Sequence, residues 1–186
     1  MGAAQDAQRP HTLRIHRQDL DVRARPVHRR SDPPDAGTEH LARCTASSRD
    51  VITRGPNGEI TSVKGTIHPS DIGTGTNTNA SSRAWARQLG RATDDAGHTR
   101  ASNLGGSGGK DYVWPQDPHY NRGQFRDFEL RIADYVTKTN KPVNFEQIYQ
   151  YGKGGTRPTG VKYSIFDSKG NRLFSQIFNK LGYAHV

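Results

Sequence analysis

Between Asp94 and Glu129 the chain gathers residue types that can carry hydrolytic chemistry. They are Asp94-Asp95-Ala96-Gly97-His98, the run Gly105-Gly106-Ser107-Gly108-Gly109, Pro115-Gln116, and Asn121-Arg122-Gly123 with Glu129 further on. A histidine after a small, turn-prone step, followed by an amide and a carboxylate on one helix, can hold a metal ion and activate a water. That is the equipment phosphodiester hydrolysis requires. The glycine run does not read as a triphosphate-binding loop: the spacing that ends at Lys110 needs glycine at position 104, where the chain has Leu104, and Asp111 also breaks the pattern. It reads instead as a flexible loop rimming a substrate groove.

These groups need elements to hold them. Phe125, Phe128, Ile132, Tyr135 and Val136 recur at steps of three and four, which predicts a helix that Asn121 opens and that ends before Asn140-Lys141-Pro142. On position alone Asn121 is an ordinary helix N-cap. Glu129 follows it by eight residues, about 80° round a regular helix and so on the same broad side. Taken alone, Glu129 reads as a surface partner of Arg126. Arg91-Ala92-Thr93 is expected as a strand delivering Asp94 to His98, and Ser82 to Leu89 as a short helix stopped by Gly90, anchored by Trp85 and Leu89.

The flanking segments read as sheet. Val51-Ile52-Thr53 and Glu59 to Val63 flank Gly55-Pro56-Asn57-Gly58, a β-hairpin pattern with Asn-Gly at its turn. Gly73 to Ser82 is a polar loop. Beyond the helix, Val143, Phe145, Tyr149 and Tyr151 give an imperfect two-residue period, Gly152 to Gly160 reads as a long hairpin loop, and Val161, Tyr163 and Ile165 alternate cleanly. Ser168 to Asn171 turns the chain into Leu173 to Phe178. The fold class is α+β, a mixed or antiparallel sheet packed on one main helix.

At 186 residues the chain fits one domain plus an appendage. Residues 1–49 carry nine Arg, no Lys and no aromatic side chain, too little apolar surface to offset the entropy of ordering, so they read as a disordered or linker-like segment ahead of a domain at 50–186. The net charge is +9, and the nine Arg up to Asp50 are offset by seven acidic residues, so most of the surplus lies in the domain. A basic domain favours a polyanionic partner, because Lys and Arg release counterions from a phosphate backbone. The single cysteine, Cys44, permits no intramolecular disulfide and no cysteine-based zinc site. No apolar run approaches a membrane span, and no signal peptide is readable.

Asp95, Gly97, His98, Gly105, Gly106, Pro115, Gln116, Asn121, Gly123 and Glu129 occur in an order and spacing that resembles the DNA/RNA non-specific endonuclease family of the ββα-metal, or His-Me finger, superfamily. Two departures stand out: Asp111-Tyr112 lies where members often carry Asn, and Ala96 lies where some carry Arg. The second removes a cation that could neutralise phosphate, which leaves Arg100, Arg122, Arg126 or Arg157 to supply one and to bind nucleic acid, with Arg157 expected on a loop tip.

The resemblance implies a ββα-metal nuclease core and a Mg²⁺-dependent endonuclease, with Mn²⁺ as a substitute, that cuts DNA, with RNA left open as a second substrate. His98 would be the general base, since imidazole is substantially neutral at physiological pH. Asn121 would ligate the ion, Glu129 would hold it through water, and Asp95 would orient the His98 loop. Nothing in the chain reads base sequence, so cleavage would be non-specific. Such domains also form the C-terminal toxic module of bacterial secreted toxins. That arrangement implies delivery into a target-cell cytoplasm and an acidic immunity protein matching the basic face. An RNA-preferring nuclease and a catalytically silent nucleic-acid-binding module stay open as alternatives, although the intact motif argues against the second.

Overall fold

The computed structural model describes residues 50–179, so the linker-like reading of residues 1–49 and the last residues of the expected domain lie outside the described residues. Strands β1 (Val51–Arg54) and β2 (Ile60–Ile67) pair antiparallel around the expected Gly55–Gly58 turn, which the Gly58 amide closes on the Gly55 carbonyl at 3.1 Å with Pro56 and Asn57 at its centre; only Gly58, not Asn57, takes a positive φ. Helix α1 (Ala80–Leu89) is capped by Asn79, whose side chain accepts from the Ser82 amide. Strands β3 (Asp95–His98) and β4 (Val113–Gln116) form a separate antiparallel pair. Helices α2 (Pro118–Tyr120) and α3 (Arg126–Thr139) lead into strands β5 (Val143–Tyr151), β6 (Pro158–Phe166) and β7 (Arg172–Asn179).

The larger sheet has five strands in the order β1-β2-β5-β6-β7, all antiparallel. Val143, Phe145 and Tyr149 on β5, with Val161, Tyr163 and Ile165 on β6, turn inward, and the stripe of Phe128, Ile132 and Val136 on α3 packs onto them in one buried cluster. Tilted aromatic contacts join helix and sheet: Phe128 meets Tyr163 at 5.1 Å between ring centres, and Phe125 meets Phe178 at 4.5 Å. Helix α3 stops where expected, at Asn140 in the left-handed conformation before Lys141-Pro142.

Four expectations are corrected. Residues 91–94 are a turn rather than a strand, because the buried Asp94 carboxylate accepts the Arg91 amide at 2.8 Å and folds the chain back; the strand begins at Asp95. The helix opens at Pro118 under an Asp117 cap, and Asn121 lies inside it with helical dihedrals, so Asn121 is not an N-cap. Strand β6 begins at Pro158, which pairs with Tyr151 across a bulge, so the preceding loop is shorter than expected. The glycine run is packed rather than loose. A Cβ on Gly106 would lie 1.6 Å from the Arg100 carbonyl oxygen, so the residue is glycine to let two backbone segments touch.

Candidate active site

His98 ends strand β3, held in register opposite Val113 of β4. The pair closes tightly because Gly97 has no side chain: a Cβ there would fall 2.1 Å from Oε1 of the buried Gln116. The Trp114 indole donates to the His98 carbonyl at 3.2 Å, which fixes the backbone that carries the imidazole. The ring's Nε2 lies 2.9 Å from the Thr76 carbonyl. A carbonyl only accepts, so Nε2 carries the proton and Nδ1 keeps its lone pair. Burial lowers the imidazole pKa below its ordinary 6.5, and the Thr76 carbonyl offsets this only in part, so His98 is neutral at physiological pH.

Asp95, at the start of the same strand, braces the helical side of the site. Its carboxylate accepts from Asn121 Nδ2 at 3.0 Å and from Arg122 Nε and a terminal guanidinium nitrogen at 2.9 and 2.8 Å. Partial burial pushes the Asp95 carboxyl up, but hydrogen bonds from Arg122 and Asn121, with the charges of Arg122 and Arg87, outweigh it and hold the group below its ordinary value. A carboxylate in that state can only accept, which turns the Asn121 NH₂ toward Asp95 and points the amide oxygen, an acceptor and a possible cation ligand, away from it. The expected bracing of the His98 loop by Asp95 is therefore replaced by bracing of Asn121 and Arg122.

Asn121 begins a wide π-type turn, Asn121–Phe125, broken at Gly123 and inserted between α2 and α3. Such turns recur at functional sites because they re-aim side chains. The angle expected of a regular helix between Asn121 and Glu129 consequently does not apply across it. The two residues nevertheless line one cleft of about 370 Å³ together with His98, Ser102, Asn103 and Arg126. Glu129 is half-buried among its neighbours, and burial pushes its carboxyl up to about 8.

The donor set fits a hard divalent cation. An amide oxygen from Asn121 and the Glu129 carboxyl, once a cation displaces its proton, are oxygen ligands of the type Mg²⁺ prefers. Among the described residues no cluster of three or more His, Cys, Asp or Glu offers a full protein cage, so an ion here would keep most of its shell as water or substrate oxygen, as Mg²⁺ does.

Two of the four candidate arginines are corrected by burial. Arg100 is 1% exposed: it pairs with Asp50, reaches Asp71 at 3.4 Å and the Thr66 carbonyl at 3.0 Å, and lies 5.2 Å from the Phe145 ring centre. Arg157 is not on a loop tip. It donates to the buried Asp94 carboxylate at 2.7 and 2.8 Å and lies 3.9 Å from Asp117. Both neutralise acids that the fold encloses, the condition under which a buried charge is tolerated. Arg122 and Arg126 remain at the surface, with side chains 72% and 64% exposed. Sequence reasoning missed Thr76, since a backbone carbonyl supplied by a loop 22 residues upstream of His98 leaves no side-chain signature.

An antiparallel strand pair followed by a helix, with the histidine on the strands and the amide and carboxylate beyond them, defines a ββα-metal nuclease. Solved structures share this fold. The Sda1 nuclease with bound zinc ion superposes with a TM-score of 0.57 at 14% identity, covering 72% of this chain and 74% of that one. A solved extracellular endonuclease gives 0.53 at 11% identity over 78% of this chain and 85% of its own. Residues 55–167 match the model of the DNA/RNA non-specific endonuclease family, and the chain belongs to that family and is a nuclease. A stretch of 139 residues, 75% of the chain, is 46% identical to a protein of Dickeya dadantii (strain 3937) named "Probable deoxyribonuclease RhsA"; the match spans 9% of that protein's length. No described helix is long and apolar enough to cross a membrane.

Proposed function

We propose that this chain is a divalent-metal-dependent endonuclease that hydrolyses phosphodiester bonds of DNA, and of RNA where the strand fits, without reading base sequence. The observation that carries the reading is the fixed tautomer of His98, which faces the same cleft as Asn121 and Glu129. With Nε2 committed to Thr76, Nδ1 is the atom that takes the proton from the attacking water. Asn121 and Glu129 are the residues that would hold Mg²⁺, or Mn²⁺ in its place, with an amide oxygen and a carboxylate. When bound, the ion supplies Lewis acidity to the phosphate and to the leaving oxygen. Asp95 orients the Asn121 amide for that task.

Arg126 neutralises the phosphate in the position that Ala96 leaves without a cation. Arg122 is held on Asp95 by two hydrogen bonds, whereas the closest acid to Arg126 is Asp127, exposed and 3.8 Å away. Arg122 keeps its outer edge exposed and contributes to strand binding.

The chain is further proposed to act as the toxic module of a bacterial secreted toxin, delivered into a target cell and restrained in its producer by an acidic immunity protein. Its 46% identity to a short part of a much longer protein named as a deoxyribonuclease supports this. Incubating the protein with plasmid and with total RNA, each with and without Mg²⁺, tests the activity. Nicking and linearisation of plasmid that chelator abolishes is expected; cleavage undiminished in excess chelator would overturn the metal requirement.

A further inference from the structure

Helix α1 carries Arg83 and Arg87 one turn apart, both exposed. The helix dipole accounts for Arg87, which lies in the last turn, but not for Arg83. The helix holds no Asp or Glu, its first turn holds no acid, and Arg83 lies near the positive end of the helix dipole. Like charges at this spacing repel each other. Among the described residues neither forms an ion pair. Elsewhere on the surface, Lys138 pairs with Asp134 at 2.8 Å and Arg131 covers the Phe174 ring at 4.5 Å.

Both arginines border the active site through independent contacts. Arg83 donates to the Thr78 carbonyl at 2.8 Å, on the loop whose Thr76 carbonyl holds His98. The charge of Arg87 acts on Asp95, the carboxylate that Arg122 and Asn121 share. Arg122 and Arg126 line the cleft, and Arg87 and Arg83 on α1 are tied to residues beside it.

We propose that the Arg83 and Arg87 face of α1 is a docking ridge for the phosphate backbone of a nucleic-acid strand where it leaves the cleft. The inference rests on the nuclease reading and extends it: the ridge contributes affinity and strand direction without touching the reacting phosphate. A duplex presents one negative charge per about 1.7 Å of axis, so a row of exposed guanidiniums meets a continuous line of acceptors whatever the base sequence.

The test compares R83Q/R87Q with the charge-keeping R83K/R87K, each also made in a His98→Ala background for binding to a labelled DNA duplex over a salt series. The ridge predicts roughly tenfold weaker binding by the glutamine pair, with the slope of log K against log salt smaller by about two, and near-complete recovery by the lysine pair. Hydrolysis of a small chromogenic phosphodiester should be unchanged by either pair in the active protein. Unaltered duplex affinity and slope in the glutamine pair would overturn the ridge, including the case in which that pair instead loses binding to an acidic protein. Failure of the unaltered protein to cut any nucleic acid would sink the nuclease reading; loss of duplex binding in the glutamine pair would still support the ridge.

Discussion

The two sheets of this protein are held by different forces. The five-stranded sheet is fastened to α3 by apolar and aromatic burial, with Phe128, Ile132, Val136, Tyr163 and Phe178 in one cluster. The β3/β4 pair is short: Trp114 alone reaches from its strands into that main cluster, Ala96 and Val113 rest with Ala86 in a small one, and charge supplies further fixing, Asp94 to Arg157 on one side and Asp95 to Arg122 and Asn121 on the other. Non-directional burial suffices for a scaffold, whereas a site must fix side chains in orientation. Hydrogen-bonded charges do that at a desolvation cost.

The largest effects should separate the two regions. Phe128→Ala removes a ring from the scaffold and should cost about 3 to 5 kcal/mol in denaturant unfolding. Arg157→Ala leaves the Asp94 carboxylate buried without its countercharge and should cost roughly 3 kcal/mol. If Arg157→Ala loses less than about 1 kcal/mol, packing rather than charge holds the site sheet.

A smaller effect isolates the bracing from the fold. Asp95→Ala frees the Asn121 amide to rotate, so the Mg²⁺ concentration for half-maximal cleavage should rise by about 10- to 100-fold. An unchanged metal requirement in a titration would remove Asp95 from the site.

The smallest effect is a pH-dependent one. The Glu129 carboxyl rises from its ordinary 4.5 to about 8 in the metal-free protein, so the folded state keeps a proton that the unfolded chain releases between those values. Stability contributed by the protonated group is complete below pH 4.5 and is lost as pH rises toward 8. Glu129→Gln removes that loss. In chelator its melting temperature should match the parent near pH 4.5 and exceed it above pH 8 by roughly a few degrees. Equal melting temperatures at both ends would show that Glu129 is well solvated.

The same contrast explains what could be read before the fold was seen. Apolar period is a local signal, so the Val161, Tyr163 and Ile165 alternation and the Phe128, Ile132 and Val136 stripe located the scaffold correctly. The Asn57-Gly58 turn and the Asn140 stop were equally local. His98, Asn121 and Glu129, which the motif singled out, line one cleft. Arg100 and Arg157 were misread because their partners Asp50 and Asp94 lie 50 and 63 residues away, and an exposed and a buried arginine look alike in a string of letters. The Asp117-Pro118 start of α2 did carry a signal, a cap residue with proline at the first helical position, which the stronger stripe beginning at Phe125 obscured.

The central claim is that neutral His98, with Nε2 held by Thr76, removes a proton through Nδ1. The direct measurement is the pH dependence of plasmid cleavage at saturating Mg²⁺, for the unaltered protein and for His98→Ala. The unaltered rate should rise with pH through an apparent pKa below 6.5 and then level, because burial lowers the imidazole. His98→Ala should lose that rise and cut the plateau rate by roughly 10² to 10⁴ while keeping its melting temperature and duplex affinity. A His98→Ala protein that cleaves near the unaltered rate, with the same acid limb, would contradict the assignment.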